Sequence, residues 1–155
     1  MTADRSVLKR GAIGQRVLRL EDGPLLAGQG TFAADWSFPD MLHMRVVRSD
    51  VAHGTITGID ISATMAIDGV IAVWTPDDVA DIPDIDFRAT KYTGLEPYKQ
   101  PVLARGRVRY VGEPVAVVFA ENSYVAEDAA NLVFVDIDEL PAVTDASAPP
   151  VEFLP

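Results

Sequence analysis

Glu113 stands in the stretch VRYVGEPVAVVFA, residues 108–120, between two runs of strand character. A carboxylate at a strand edge is a candidate general acid or base. That chemistry needs a second group nearby, to shift its pKa or to share the proton transfer, and the sequence identifies none. The neighbours supply another account. Gly112 tolerates unusual backbone angles, and Pro114, lacking an N–H, suits the first residue of a strand. Gly112-Glu113-Pro114 is therefore adequately explained as a tight connection between strands at 107–111 and 115–120.

Other reactive constellations fare no better. His43, His53 and Asp50 can be assembled into a metal site on paper, but they follow no recognised ligand spacing. Asp77, Asp78, Asp81, Asp84 and Asp86 suggest calcium until the missing central glycine and terminal glutamate of a calcium loop are noticed. Ser49, Ser62 and Ser123 lack the G-x-S-x-G context of a nucleophile elbow. Gly28-Gln29-Gly30 leads into TFAADWSFPD, which has no helical period, so it is not a phosphate loop. With no cysteine in 155 residues, disulfides, thiolate catalysis and Cys-ligated zinc or iron–sulfur clusters are excluded together.

The chain is long enough for one domain with its own core. Its formal charge is −10, which argues against nucleic acid and anionic lipid as partners. The charge is unevenly placed. Arg5, Lys9, Arg10, Arg16 and Arg19 crowd the start, Arg88, Lys91, Lys99, Arg105, Arg107 and Arg109 crowd a later segment, and no Lys or Arg follows Tyr110. These basic segments are read as surface charge or as contacts to an acidic partner. The N-terminus lacks the apolar run of a signal peptide, and no stretch approaches the ~20 apolar residues of a membrane span. A cytoplasmic location is expected.

The elements that must position these residues follow from periodicity. Residues 1–30 read as an extended, glycine-punctuated arm. MLHMRVVRS alternates as a strand at 42–48, with Leu42, Met44 and Val46 on one face. GTITGIDIS is a second strand, in which a bulge at Gly58 would keep Ile56, Ile59 and Ile61 facing the core. Ser62 is expected to cap a short helix that Gly69 ends. VIAVW is a buried strand, and Thr75-Pro76-Asp77-Asp78 starts a helical turn. Residues 81–101 have neither period and read as a long loop, of a length that is usually functional or disordered, with Tyr92 and Tyr98 as contact residues if a partner covers them. PVLA, RVRYV and PVAVVFA are strands. A helix at 123–132, capped by Asn122 or Ser123, links PVAVVFA to a strand at 133–138. Parallel pairing of those two strands would require a right-handed crossover.

Taken in order, VLRLEDGPLLAGQGTFAAD, MLHMRVVRSDVAHGTITGIDIS, DGVIAVWTPDDV and PVLARGRVRYVGEPVAVVFAENSYVAEDAANLVFVDIDELPAV resemble the start of molybdenum hydroxylase large subunits. This is the family of xanthine dehydrogenase, aldehyde oxidase and aerobic carbon monoxide dehydrogenase. The matching part is its N-terminal α/β-hammerhead domain. The resemblance implies an α+β fold, with a mixed sheet and short helices. It assigns residues 1–15 to an N-terminal arm, 16–145 to the hammerhead domain and 146–155 to a linker toward a molybdopterin-binding domain.

The resemblance also implies a role without chemistry. In the family, molybdopterin and the active-site glutamate belong to later domains, and no position here matches those motifs. Glu113 falls in the hammerhead's Val-Gly-Glu-Pro pattern and is not the family's catalytic glutamate. No catalytic, cofactor or metal residue is therefore assigned to this chain. The assembled enzyme implies molybdopterin and iron–sulfur clusters and leaves FAD open. The expected partners are molybdopterin-binding domains or a molybdopterin subunit, and an iron–sulfur subunit. Arg16, Arg19, Tyr92, Tyr98, Arg105 and Arg107 are the candidate contacts. Family large subunits run several times longer, so the chain is expected to be a fragment or a split subunit. The alternative is a free-standing binding module that retains the hammerhead fold. A small hydrolase using Glu113 or His53 ranks last.

Overall fold

The alternation at residues 42–48 becomes strand β1 (His43–Arg48), and the isoleucine-rich stretch after it becomes β2 (Gly54–Asp60). The structure, a computed structural model, describes residue 14, residues 16–86 and residues 99–147. They fall into two compact units that divide between Pro39 and Asp40.

In the first unit, Asp22-Gly23-Pro24 opens a short helix, α1 (Asp22–Leu26), where extended chain was expected. Proline is well suited to a first helical turn, because the N–H it lacks would have no partner there. A 3-10 turn follows at Ala33–Asp35, and the Asp35 carboxylate accepts the Phe32 amide at 2.9 Å. The rings of Trp36 and Phe38 stack 6.2 Å apart.

The second unit carries the sheets. After β2 come α2 (Ser62–Met65), β3 (Val70–Trp74), the two-residue β4 (Arg107–Val108), β5 (Pro114–Ala120), α3 (Ser123–Ala130) and β6 (Phe134–Glu139). One sheet has the order β1-β5-β3 and the other β4-β2-β6. Every ladder between these strands is antiparallel. The α+β hammerhead with short helices is thus observed, with its strands sorted into two antiparallel sheets. The strand–helix–strand unit does not close on itself: β5 lies between β1 and β3, while β6 pairs with β2. Because α3 delivers the chain to a different sheet, no parallel crossover arises.

The bulge in β2 lies one residue before the expected Gly58. Ile56 pairs with Ile137 and Gly58 with Asp136, so Thr57 is the extra residue and points to solvent. The three isoleucines do not share one core, however. Ile56 packs with Ala104, Val108 and Val115, whereas Ile61 packs with Val73, Val118 and Ala129. Val47 packs against both clusters. Gly54 sits so close to β6 that a Cβ there would collide with the Asp138 carbonyl.

Caps and turns define the ends. Asn122 accepts the Val125 amide at 2.9 Å and starts α3. At α2 the N-cap position is Ile61, not Ser62, and the Asp60 side chain before it accepts the Ser62 amide at 2.9 Å. A carboxylate two residues earlier reaches the free N–H groups of the first turn better than a residue already inside it. Thr64, fully buried, donates to the Ala129 carbonyl and ties α2 to α3. At Thr75-Pro76-Asp77-Asp78, the Asp78 carboxylate accepts both the Thr75 amide at 2.7 Å and its hydroxyl at 2.9 Å.

Two expected strands are shortened or absent. PVLA is not a strand: Pro101 has no N–H to give, and the Ala104 amide donates singly to the Pro114 carbonyl. RVRYV pairs over Arg107–Val108 only, because the Arg109 amide turns to the Glu113 carboxylate in place of a sheet neighbour.

Val47→Ala is expected to lower stability by about 2 kcal/mol in urea denaturation, since both clusters lose packing at once. The Asp78 carboxyl is held below its ordinary pKa by the Thr75 amide, then by the Thr75 hydroxyl. Its contribution is therefore present above the unfolded pKa and lost as pH falls through the folded one. The urea midpoint of Asp78→Asn should lie below wild type at neutral pH and converge with it in strong acid.

Candidate functional site

Glu113 is a buried carboxylate, 2% exposed. One oxygen accepts the Arg109 amide in a short hydrogen bond, and the other lies 3.6 Å from the Arg109 guanidinium. Its backbone is equally engaged. The Glu113 carbonyl accepts the Ser49 amide at 2.9 Å, and the Gly112 amide donates to the Ser49 carbonyl at 2.7 Å. Gly112 has φ +90°, a conformation that favours glycine. Arg48 donates to the Gly112 carbonyl at 2.7 Å. The carboxylate closes a turn.

The histidines do not meet on a ligand. His53 Nδ1 lies 2.8 Å from the Pro141 carbonyl, so this nitrogen carries the proton and donates. Among the described residues no group of three or more His, Asp or Glu side chains is placed to hold a metal ion. Ser49 is buried, with its hydroxyl on the Val51 carbonyl at 2.8 Å. The loop acids serve the fold: Asp84 lies 3.6 Å from Arg105 and Asp86 3.7 Å from Lys99.

The candidate contact residues separate into distinct kinds. Arg16 is exposed, and Arg19 lies 3.7 Å from Asp22 within the first unit. Tyr92 and Tyr98 lie outside the described residues. Arg105 is engaged by the chain itself at the surface. One guanidinium nitrogen donates to the carbonyls of Val79, Ala80 and Ile82 at 3.1–3.3 Å, which holds the start of the long loop against the second unit.

Arg107 differs. Its Nη1 is buried without a hydrogen-bond partner, an uncommon and costly state for a charged group. The side chain lines an open cleft of about 500 Å³, with His53, Arg109, Tyr110, Leu140 and Val143 on the other walls. Arg109 donates to the Arg107 carbonyl at 3.1 Å and Tyr110 accepts from Gln100. That leaves the Arg107 guanidinium as the positive group of this cleft least engaged by the chain itself.

Sequence reasoning missed an apolar face. The alternation of β1 is real, but its core side is the one with Arg45 and Val47. Arg45 forms a paired contact with Glu127 of α3, at 2.6 and 3.0 Å. Met44 and Val46 point to the opposite side of the sheet. The available signal was the unbroken apolar character of VIAVW and PVAVVFA, which marks strands with apolar residues on both faces.

The family model for the a/b hammerhead domain of aldehyde oxidase and xanthine dehydrogenase matches residues 27–141. The chain is 43% identical over 139 residues to the large subunit of nicotine 6-hydroxylase from Paenarthrobacter nicotinovorans, covering 89% of this chain and 17% of that one. It is 33% identical over 131 residues to the large molybdopterin subunit of nicotinate dehydrogenase from Eubacterium barkeri, covering 84% of this chain and 29% of that one. Quinoline 2-oxidoreductase from Pseudomonas putida 86 superposes with a TM-score of 0.74 at 44% identity, over 88% of this chain and 17% of that one. The chain thus spans less than a third of the length of these relatives.

Arg105→Ala should destabilise the chain by about 1 kcal/mol, because the part-buried Val79 carbonyl and the exposed Ala80 and Ile82 carbonyls lose a charged donor. Arg107→Met should leave stability unchanged or raise it, since it removes an unpaired buried nitrogen and keeps the apolar stem. Paired urea titrations of the two variants check both.

Proposed function

Because the chain belongs to the aldehyde oxidase and xanthine dehydrogenase a/b hammerhead family, we propose that it is a structural, non-catalytic domain or split subunit of a molybdopterin-dependent dehydrogenase or hydroxylase. The observation that carries this reading is the fate of Glu113. The one buried carboxylate among the described residues is consumed by the Arg109 turn, in a chain that spans 17% of its nicotine 6-hydroxylase relative.

Among the described residues no three His, Asp or Glu side chains are placed to hold a metal ion, and the acid that the sequence singled out is buried. No chemical step is assigned to this chain. The assembled enzyme would hydroxylate a carbon centre with oxygen from water and pass the electrons on through iron–sulfur clusters. Molybdopterin and the clusters would be held by other domains or subunits, in the cytoplasm. Among the described residues no helix is long and apolar enough to cross a membrane.

In this reading residues 16–145 form the scaffold unit, after a 1–15 arm and before a 146–155 linker. Arg16, Arg19 and Arg107 offer charge to the partner subunits, together with Tyr92 and Tyr98. Arg105 contributes through the loop it holds. Arg107 and Arg109 line the same open cleft, which supports a carboxylate-bearing partner for it.

Elemental analysis tests the assignment. The chain purified by itself should carry no molybdenum, and the chain co-purified with the polypeptides encoded beside it should carry molybdenum in fixed ratio to the complex. Stoichiometric metal or pterin on the solitary chain would overturn the assignment. A chain that retains none of its neighbours would instead favour a free-standing binding module.

A further inference from the structure

We propose that the outer face of the β1-β5-β3 sheet is the surface on which the molybdopterin-binding polypeptide of the same enzyme docks, with Met44 and Trp74 as its anchors. This rests on the scaffold reading above and adds where the scaffold is gripped.

The two sides of the sheet are fixed by their contacts. Arg45 reaches Glu127 on α3, and Val73 and Val118 pack with Ala129 of α3, so this is the inner side. Residues paired across a ladder share a side. Met44 pairs with Phe119 and Phe119 with Ala72; Val46 pairs with Val117 and Val117 with Trp74. These rows make up the outer side, and no charged residue stands in either. Trp74 meets Phe119 edge to face at 4.7 Å. Met44 is 59% exposed and Trp74 46% exposed.

The protein shows elsewhere what a solvated strand face looks like. On β6 the exposed alternating positions include Asp136 and Asp138. An antiparallel sheet facing water normally alternates in that way. A connected apolar face carrying Met and Trp on a chain of net charge −10 has the chemistry of a contact surface.

The occupant is argued from length. In quinoline 2-oxidoreductase the segment equivalent to this chain is 17% of the polypeptide, and the nicotinate dehydrogenase relative is a molybdopterin subunit. A surface of that polypeptide can therefore cover an uncharged sheet face of this domain. It must itself be apolar opposite Met44 and Trp74, because a charge buried there would have no partner.

The test is hydroxyl-radical footprinting of the 155-residue chain, free and in complex with the molybdopterin-binding polypeptide encoded beside it. Oxidation of Met44 and Trp74 is expected to fall in the complex, while Tyr124, on α3 and 83% exposed, keeps its reactivity. In parallel, Met44→Lys and Trp74→Lys should each reduce co-purification by at least about tenfold, and Asp128→Lys on α3 should not. A complex that forms with Met44 and Trp74 still fully reactive overturns the proposal. Concentration-dependent protection in the free chain also overturns it, by assigning the face to a second copy. If wild type retains no molybdopterin-binding polypeptide, the scaffold reading itself fails and takes this proposal with it.

Discussion

The second unit turns on a junction of backbone. Ser49, just past the end of β1, exchanges a pair of main-chain hydrogen bonds with Gly112 and Glu113, just before β5. Arg48 reaches the same turn through the Gly112 carbonyl, and the Glu113 carboxylate reaches back to the Arg109 amide, next to β4. One short stretch therefore links a sheet of order β1-β5-β3 to the strand that edges the other sheet. A carboxylate buried at such a point is tolerable because it is hydrogen-bonded and faces a guanidinium. The two apolar clusters are arranged around the same junction, with Val47 serving both.

Much of this was legible in the residues. The alternation of β1, the phase change in β2, the Asn122 cap and the helical turn after Thr75 follow from local rules that operate within a few residues. What local rules could not supply was partnership. Nothing in PVAVVFA says that its neighbours are two strands from earlier in the chain, or that VFVDID belongs to another sheet. Likewise the β1 pattern has the right period, but the side on which α3 lies depends on Glu127, far along the sequence. RVRYV has strand composition, yet Arg109 leaves the ladder because a side chain four residues later offers a stronger acceptor. The turn reading of Gly112-Glu113-Pro114 was available from glycine and proline chemistry; the burial of the carboxylate was not.

The basic residues show why charge segregation is a coarse guide to interfaces. Arg45, Arg48, Arg105 and Arg109 are engaged by groups of the chain itself, most of them carbonyls or carboxylates from distant segments. Arg107 lies two residues from two of them in sequence and has a buried nitrogen with no acceptor. Composition cannot separate these cases, since they differ only in what the fold brings opposite each guanidinium. The same holds for apolar residues. Val118 and Val117 are neighbours of equal chemistry, and one completes the core while the other lies on the open side of the sheet.

The strand order carries a consequence for biosynthesis. β5 is the middle strand of its sheet and follows both of its neighbours in the chain; in the other sheet β2 waits for β6. Among the strands described, those made first pair with none of each other, so neither sheet can close while only the first half of the polypeptide has left the ribosome. Until residues 114–120 emerge, β1 and the apolar VIAVW of β3 have no strand to pair with. Such delayed, long-range closure slows folding and exposes the nascent chain to association.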